Sequence, residues 1–190
     1  MNLLKTVFDE ARTFTSFLEK PIKPALLHEL YNHLKWGPTS ANSCPARFVF
    51  VTSPAGRDRL LPCISETNRA KVASAPCTAI IAYDSEFFEL MPKLYPPADF
   101  KTIFKSNPPV ALATARRNSA LQGAYMMIAA RALGLDCGPM SGFDAAALEM
   151  EFFADGRYKA NFICNLGYGN KASLHLRNPR LDFDETCEIV

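Results

Sequence analysis

The chain has 190 residues, of which 48% are hydrophobic and 21% charged, a composition typical of a folded domain and too apolar for a disordered chain. Its 21 basic and 19 acidic residues leave a formal net charge of +2, which excludes the basic excess of a nucleic-acid-binding protein. With 9 glycines against 14 prolines, a glycine-rich phosphate loop is also not expected, and neither the Rossmann nor the P-loop pattern occurs.

Apolar periodicity and turn residues divide the first half of the chain into helices and strands. Pro24 suits the first turn of a helix whose buried side is expected to include Leu30, Leu34 and Trp36. The nearly all-apolar run from Cys77 to Tyr83 predicts a strand buried on both faces. The predicted elements are a helix over 3–11, a turn over 12–17, a helix from Pro24 to the Gly37-Pro38 stop, a loop over 39–45, a strand over 47–51, helices over 57–64 and 67–73, and a strand over 77–83.

In the second half, five prolines between residues 92 and 109 predict a long surface loop or lid. The longest helix is expected over 110–133 with Gly134 as its C-cap. Its second half is apolar nearly all round, which predicts burial inside the monomer or at a subunit interface. A turn-rich segment over 135–143, a short helix capped by Asp144, a strand over 162–166 and a polar tail follow. Helices and strands interleave around a small sheet in one domain over 1–190.

Cysteine usage and hydropathy predict the compartment. The six cysteines form no C-x-x-C pair, which indicates reduced thiols rather than a disulfide framework. The N-terminal residues lack the apolar run of a signal peptide, and the most apolar stretch, 120–135, is shorter than the ~20 residues of a membrane span. We therefore expect a cytoplasmic protein with neither a nucleic-acid nor a membrane partner, and three histidines predict no metal site.

Two polar segments suit an anionic ligand with polar edges. Arg12 and Thr13 lie at a helix–turn junction, where an arginine fork and a hydroxyl suit a phosphate, although a surface arginine that caps the helix has the same pattern. Ser40 and Asn42 lie in a loop rich in hydroxyls and amides, which offers donors to a ligand but is also what ordinary turns use.

Two further segments point the same way. Asn68 and Lys71 are three residues apart and share a helix face, as they would on any solvated helix. The segment 134–144 holds three of the nine glycines, and glycine permits a close approach of the backbone to a ligand. This concentration in a glycine-poor chain is the strongest of the four signals.

Together these segments resemble the nitroreductase family. The sequence PTSANSCP at 38–45 is similar to its P-S-x-x-N-x-Q-P pattern, and GLDCGPMSGFD at 134–144 to its G-[LV]-[DG]-x-x-P-x-x-G-F-D segment. Asn-x-x-Lys before a buried strand resembles the family's flavin-edge pair, and the G-Y-G at 167–169 followed by P-R-L at 179–181 resembles its closing element. Segments 35–42, 138–142 and 178–181 look most like the malonic semialdehyde reductases of pyrimidine degradation.

The resemblance implies an α+β nitroreductase-like fold, with a small mixed β-sheet flanked by helices, in an intertwined homodimer that binds FMN at its interface. It implies NADPH or NADH as hydride donor and ping-pong transfer through flavin N5, reducing malonic semialdehyde to 3-hydroxypropionate. A broad nitro or quinone reductase, a non-catalytic FMN-binding protein and a thiol enzyme that uses Cys44 are the alternatives.

The same resemblance assigns roles to individual residues. No protein side chain is implied as the catalytic group, because the chemistry belongs to the flavin. The implied contacts are Arg12, Arg180 and Thr13 at the FMN phosphate, Ser40 and Asn42 near the ribityl chain and ring, Asn68 at the pyrimidine edge, Lys71 by N1 and the C2 carbonyl as electrostatic partner, and Pro139, Met140, Ser141 and Gly142 around N5.

Three positions depart from the family pattern. Ser16 stands where a second arginine is usual, so the phosphate is expected to rest on fewer charges. Cys44 replaces the usual Gln, and Ser141 stands where many nitroreductases have Glu. The last two changes lie near the expected ring and put a preference for nitroaromatic substrates in doubt.

Overall fold

The computed structural model describes residues 2–190 and is built on a four-stranded sheet in the order β1-β2-β4-β3. The strands are β1 (Ala46–Val51), β2 (Cys77–Asp84), β3 (Asp136–Met140) and β4 (Tyr158–Gly167). All neighbouring strands are antiparallel, so the expectation of a mixed sheet is wrong. Among residues 2–190 the one parallel pairing is an isolated bridge between Thr13 and Cys137 at the β3 edge.

Eight α-helices are found in the described part of the chain. In four of them the N-cap side chain accepts a hydrogen bond from the first turn; these residues are Ser53, Asp99, Asn107 and Asp144, as expected for N-caps. The N-terminal residues Lys5–Asp9 form a π-helical turn. The helices are α1 (Pro24–Leu34), α2 (Pro54–Leu60), α3 (Glu66–Ser74), α4 (Met91–Leu94), α5 (Phe100–Lys105), α6 (Pro108–Ala132), α7 (Ala145–Phe152) and α8 (Phe183–Thr186).

Helices cover both faces of the sheet. On one face α1 and α6 pack against Ala79 and Ile81 of β2; on the other, α2, α3 and α7 pack against Ile80 and Ala82. Because successive side chains of a strand point to opposite faces, β2 is buried along its whole length, which confirms the prediction from its apolar run.

Two segments predicted as loops are regular structure. Residues 92–109 form most of α4, α5 and the start of α6 instead of a loop, because Phe87, Met91 and Phe104 build a hydrophobic cluster of their own, with the rings of Phe87 and Phe104 5.0 Å apart. Residues 135–143 contain β3 instead of turns alone. Gly and Pro disfavour strands, but β3 lies at the sheet edge, where proline is tolerated, and its pairing with β4 decides its conformation.

One residue predicted to be buried is exposed. Trp36 lies beyond the last residue of α1, and 78% of its surface is accessible. Leu30 and Leu34, on the same predicted face, are fully buried. Helical spacing therefore gave the correct face of α1 but not its end, since the chain turns at Lys35.

Candidate functional site

A cavity of about 620 Å³ lies between the N-terminal segment, the end of α6 and the C-terminal segment. Its lining includes the four guanidinium groups of Arg12, Arg131, Arg177 and Arg180 and, among the described residues, no carboxylate side chain. Guanidinium groups match phosphate oxygens in charge and geometry. The donor chemistry of this cavity therefore fits a phosphate, and Arg131 and Arg177 supply charges that the departure at Ser16 led us not to expect.

All four of these arginines donate to main-chain carbonyl groups, Arg131 to that of Val7 at 3.3 Å. Arg12 donates to the carbonyl of His175, and Arg177 donates to the carbonyls of Asp9 and Ala11 at 2.7 and 2.9 Å. Arg180 donates to the carbonyls of two preceding residues. Carbonyl groups orient a guanidinium group without neutralising its charge, so the cavity keeps a positive potential.

The segment after Arg12 is fixed against β3. Thr13 bridges Cys137, and the Phe14 amide donates to the Cys137 carbonyl at 3.0 Å. Gly138 permits this approach, because a Cβ atom there would overlap the main-chain oxygen of Phe14. The arginine-lined cavity is thus continuous with the edge of the sheet.

Beyond the other end of β3 the chain contacts Asn68 of α3, which is paired with Lys71 of the same helix. The Asn68 side chain donates to the Gly142 carbonyl at 3.2 Å, and its Oδ1 accepts from Lys71 Nζ at 2.8 Å. A Cβ atom at position 142 would overlap the Asn68 amide, so a larger residue there would displace the Asn68 side chain from its present position. At the rise of a strand, residues 137–142 span at most ~17 Å. This length of chain lies between the arginine-lined cavity and the amide of Asn68 and the ammonium group of Lys71.

Two buried polar side chains of the sheet form a hydrogen-bond chain that ends at the main-chain carbonyl of Lys71. Thr78 donates to Asn165 Oδ1 at 2.7 Å, and Asn165 Nδ2 donates to the Lys71 carbonyl at 2.9 Å. Both polar side chains are buried in the sheet, where an unpaired polar group would be costly. Sequence reasoning missed these two residues, although a polar residue inside an apolar strand is a signal that could have found them.

Ser40 and Asn42 lie elsewhere. The Ser40 amide donates to Asn118 of α6 at 2.8 Å, and the Asn42 side chain donates to the Leu94 carbonyl at 2.9 Å. Their loop precedes β1, at the edge of the sheet opposite β3, and three strand spacings amount to about 14 Å. Within one chain, Arg12, Thr13 and Arg180 line the cavity beside one end of β3, and Asn68 and Lys71 lie with Gly142 beyond its other end. Ser40 and Asn42 lie at the opposite edge of the sheet.

The loop that carries Ser40 and Asn42 is strained. Ala41, Asn42 and Cys44 have φ of 51°, 52° and 41°, the left-handed region that costs residues other than glycine ~1–2 kcal/mol each. Arg47 donates to the Cys44 carbonyl at 3.1 Å and helps to hold this conformation. Strain of this kind clusters at ligand-binding sites, which favours a functional interpretation of the loop.

Cys44 has no activating base among its hydrogen-bond partners in residues 2–190. Its sulfur lies 3.5 Å from Asn42 Oδ1 and 3.8 Å from Thr39 Oγ1. A nucleophilic thiol needs a base within hydrogen-bond reach or another means of lowering its pKa. The geometry therefore does not favour the thiol-enzyme alternative.

We expect four of the six thiols to resist alkylation in the folded protein, namely those of the buried residues Cys63, Cys77, Cys137 and Cys164. Burial raises the pKa of Cys63 and that of Cys77, the latter to about 12, and a hydrogen bond to Cys137 together with burial raises the pKa of Cys164. Only thiolates react, so iodoacetamide at pH 8 should label the exposed Cys187 and leave these four unlabelled until denaturant is added. Mass spectrometry of the alkylated protein measures this. Rapid labelling of Cys77 or Cys164 would contradict it.

Two other kinds of site are absent from residues 2–190. No cluster of three or more His, Cys, Asp or Glu side chains is arranged to hold a metal ion. Of the helices described, none has the length and apolar content needed to cross a bilayer.

Comparison with known proteins identifies similar chains. Residues 10–168 match the model of the "Nitroreductase family". A protein of Ralstonia nicotianae named "Putative NADH dehydrogenase/NAD(P)H nitroreductase" is 51% identical over 189 residues, which cover 100% of this chain and 97% of the relative. A relative of the same name from Rhodopseudomonas palustris is 52% identical over 98% of this chain and 95% of its own.

Solved structures share the fold. A "putative nitroreductase" of Bacillus subtilis superposes with a TM-score of 0.87 at 20% identity, over 98% of each chain. A "putative nitroreductase" of Exiguobacterium sibiricum, solved in complex with FMN, superposes with a TM-score of 0.85 at 17% identity over 100% of this chain and 98% of its own.

Proposed function

The chain belongs to the nitroreductase family, and from this premise we propose that it is an FMN-dependent NAD(P)H oxidoreductase. One observation carries the proposal. A cavity lined by arginines lies at one end of the β3 edge, and an amide and an ammonium group lie at the other. This order of groups matches a mononucleotide with a phosphate at one end and a polar-edged ring at the other. The FMN complex of the Exiguobacterium structure and the relatives' names support the same conclusion.

The residues present fit FMN. Arg12, Thr13 and Arg180 would hold the phosphate, whose charge of roughly −1.5 to −2 the arginine-lined cavity would offset. The backbone of Pro139, Met140, Ser141 and Gly142 and the amide of Asn68 would hold the ring. When bound, FMN supplies hydride chemistry between NAD(P)H and the substrate.

Lys71 would be the electrostatic partner of the ring. Its ammonium is oriented by Asn68 at 2.8 Å, and its main-chain carbonyl is tied to Asn165. A fixed cation beside N1 and the C2 carbonyl favours the negative charge that two-electron reduction leaves there. Water or a hydroxyl would donate the proton that completes the reduction of an aldehyde.

The Lys71→Met substitution is expected to lower the two-electron midpoint potential of bound FMN by about 30–60 mV, since ~30 mV corresponds to 1.4 kcal/mol for such a couple. Spectroscopic titration against a dye of known potential measures this shift. Lys159→Met is the matched control, because Lys159 pairs with Glu149 at 3.2 Å outside the proposed site. An unchanged potential in Lys71→Met would mean that Lys71 does not face the ring.

We also propose that the functional unit is a homodimer. Ser40 and Asn42 lie at the edge of the sheet opposite the Lys71 end of the site, so the same residues of a second copy are those that would reach the ring. Leu121 and Tyr125 of α6, in the half whose nearly all-apolar sequence predicted burial inside the monomer or at a subunit interface, are 45% and 38% exposed. An apolar helix face of this kind suits a subunit interface. Sedimentation equilibrium of the FMN-loaded protein measures its oligomeric state. A monomeric mass would contradict this proposal.

The proposed substrate is malonic semialdehyde, reduced to 3-hydroxypropionate in pyrimidine degradation. Its support is the resemblance of segments 35–42, 138–142 and 178–181 to that subgroup, with Ser141 and Cys44 in place of residues usual in nitroreductases. The names of the relatives at 51% and 52% identity favour a second candidate, a broad nitro or quinone reductase. A non-catalytic FMN-binding protein is the third.

The deciding experiment is an absorbance spectrum followed by a substrate comparison. We expect the purified protein, reconstituted with FMN, to show flavin absorbance and to oxidise NADPH or NADH with malonic semialdehyde. Absence of bound flavin after reconstitution would refute the oxidoreductase proposal. Turnover with a nitroarene or quinone but not with the aldehyde would select the second candidate. Full activity of Cys44→Ser would exclude the thiol mechanism.

A further inference from the structure

We infer that Arg131 is a phosphate-recognition residue that makes this chain select FMN over riboflavin. The inference rests on the proposed function and concerns a residue outside the motifs that carry the family resemblance. Arg131 lies in the last turn of α6 and lines the same cavity as Arg12, Arg177 and Arg180.

The hydrogen bonding of Arg131 is incomplete. Its Nη1 donates to the Val7 carbonyl at 3.3 Å, whereas its Nε is buried and has no partner within residues 2–190. An unsatisfied buried donor is costly, and more so on a charged group. The other three arginines of the cavity donate to carbonyls at normal or short distances. Because Nε is shielded from the cavity, a bound phosphate oxygen would instead accept from the η nitrogens, of which Nη2 has no partner within residues 2–190.

A favourable interaction with the helix dipole does not explain this placement. A cation in the last turn of a helix is stabilised by the carbonyl groups there, and an arginine with that role alone would donate to them. Main-chain amides satisfy these carbonyls instead, with Leu133 donating to Ala129 and Gly134 donating to Arg131. The Arg131 side chain instead donates to Val7, in the N-terminal segment that leads into the cavity.

The chain also lacks a charge that Arg131 would replace. Position 16, where the family pattern has a second arginine, is serine. Its main-chain carbonyl accepts from the Asn170 amide at 3.0 Å, which places position 16 beside the start of the C-terminal segment. Arg131 supplies a guanidinium group to the cavity from a different element, the end of the longest helix.

The test compares flavins that differ only in the phosphate. Dissociation constants of FMN and riboflavin are measured by flavin fluorescence for the wild type, Arg131→Met, Arg131→Lys and, as the control, Arg117→Met, which removes an exposed arginine from the same helix. Arg131→Met is expected to weaken FMN binding roughly 10- to 100-fold and to leave riboflavin binding within about twofold. Arg131→Lys should retain part of the affinity because it keeps the charge, and Arg117→Met should retain all of it.

Two other outcomes would contradict the proposed role of Arg131. Equal losses for FMN and riboflavin would make Arg131 a structural residue, and unchanged FMN affinity in Arg131→Met would remove it from the phosphate site. Either result leaves the proposed function intact, since the wild type would still bind FMN. A wild-type protein that binds neither flavin would refute the proposed function and this inference with it.

Discussion

Replacing Asp84 by asparagine is expected to lower the free energy of unfolding by about 3–5 kcal/mol, the cost of removing one partner from a buried ion pair. The Asp84 carboxylate is fully buried at the end of β2. It accepts from Arg47 Nη2 at 2.7 Å and from Arg157 Nε and Nη2 at 2.7 and 2.8 Å. This hydrogen bonding raises the pKa of Arg157. The asparagine variant would leave two neighbouring guanidinium groups without their counter-charge.

Urea unfolding followed by circular dichroism measures the change. Glu86→Gln is the matched control, because the exposed Glu86 carboxylate lies 3.8 Å from Arg157 and such surface pairs contribute less than ~1 kcal/mol. We expect the midpoint to fall strongly for Asp84→Asn and little for Glu86→Gln. Similar small changes in both would show that the Asp84 pairs do not stabilise the fold.

The Asp84→Asn substitution is also expected to weaken the contacts that hold the strained loop before β1. Arg47 is held by Asp84 and donates to the carbonyls of Cys44 and Ala46 at 3.1 and 2.9 Å. Without Asp84, Arg47 loses the partner that orients it, and the left-handed conformation at Cys44 loses part of its support. Weaker flavin binding by Asp84→Asn, compared with Glu86→Gln, would therefore accompany the loss of stability.

The second large effect is expected at Gly138, where alanine should cost about 1–3 kcal/mol of stability, typical of overpacking, and weaken FMN binding at least ~10-fold. The added Cβ would overlap the main-chain oxygen of Phe14, which cannot rotate away as a side chain can. The segment with Arg12 and Thr13 would have to move from β3, breaking the Phe14–Cys137 hydrogen bond of 3.0 Å.

Gly134→Ala separates backbone strain from this overlap. Gly134 has φ of +80° but open space around its Cα, so alanine there is expected to cost about 1–2 kcal/mol and to leave FMN affinity unchanged. Urea unfolding and fluorescence titration with FMN measure both properties. If Gly138→Ala bound FMN as tightly as Gly134→Ala, residues 12–14 would not belong to the flavin site.

The amino-acid sequence by itself determined the elements whose signals are local. The apolar run of β2 predicted burial on both faces and Asp144 predicted the N-cap of α7, both as observed. Gly134, predicted as the C-cap of the longest helix, lies one residue beyond the C-cap Leu133 and has a positive φ. Each of these depends on a few adjacent residues and on backbone sterics. The spacing of Asn68 and Lys71 likewise predicted a shared helix face, and in the structure their side chains are 2.8 Å apart.

Only the tertiary structure decided what depends on distant partners. Gly138 and Pro139 disfavour a strand, but pairing with β4 places them in β3. The prolines of residues 92–109 indicated a loop, whereas this segment forms helices that pack into the cluster of Phe87, Met91 and Phe104. Arg131 entered the arginine-lined cavity from a helix end more than a hundred residues from Arg12, and strand order put Ser40 and Asn42 at the opposite edge from Lys71. Strand pairing and side-chain packing join residues far apart in sequence, and local propensity carries no information on those partners.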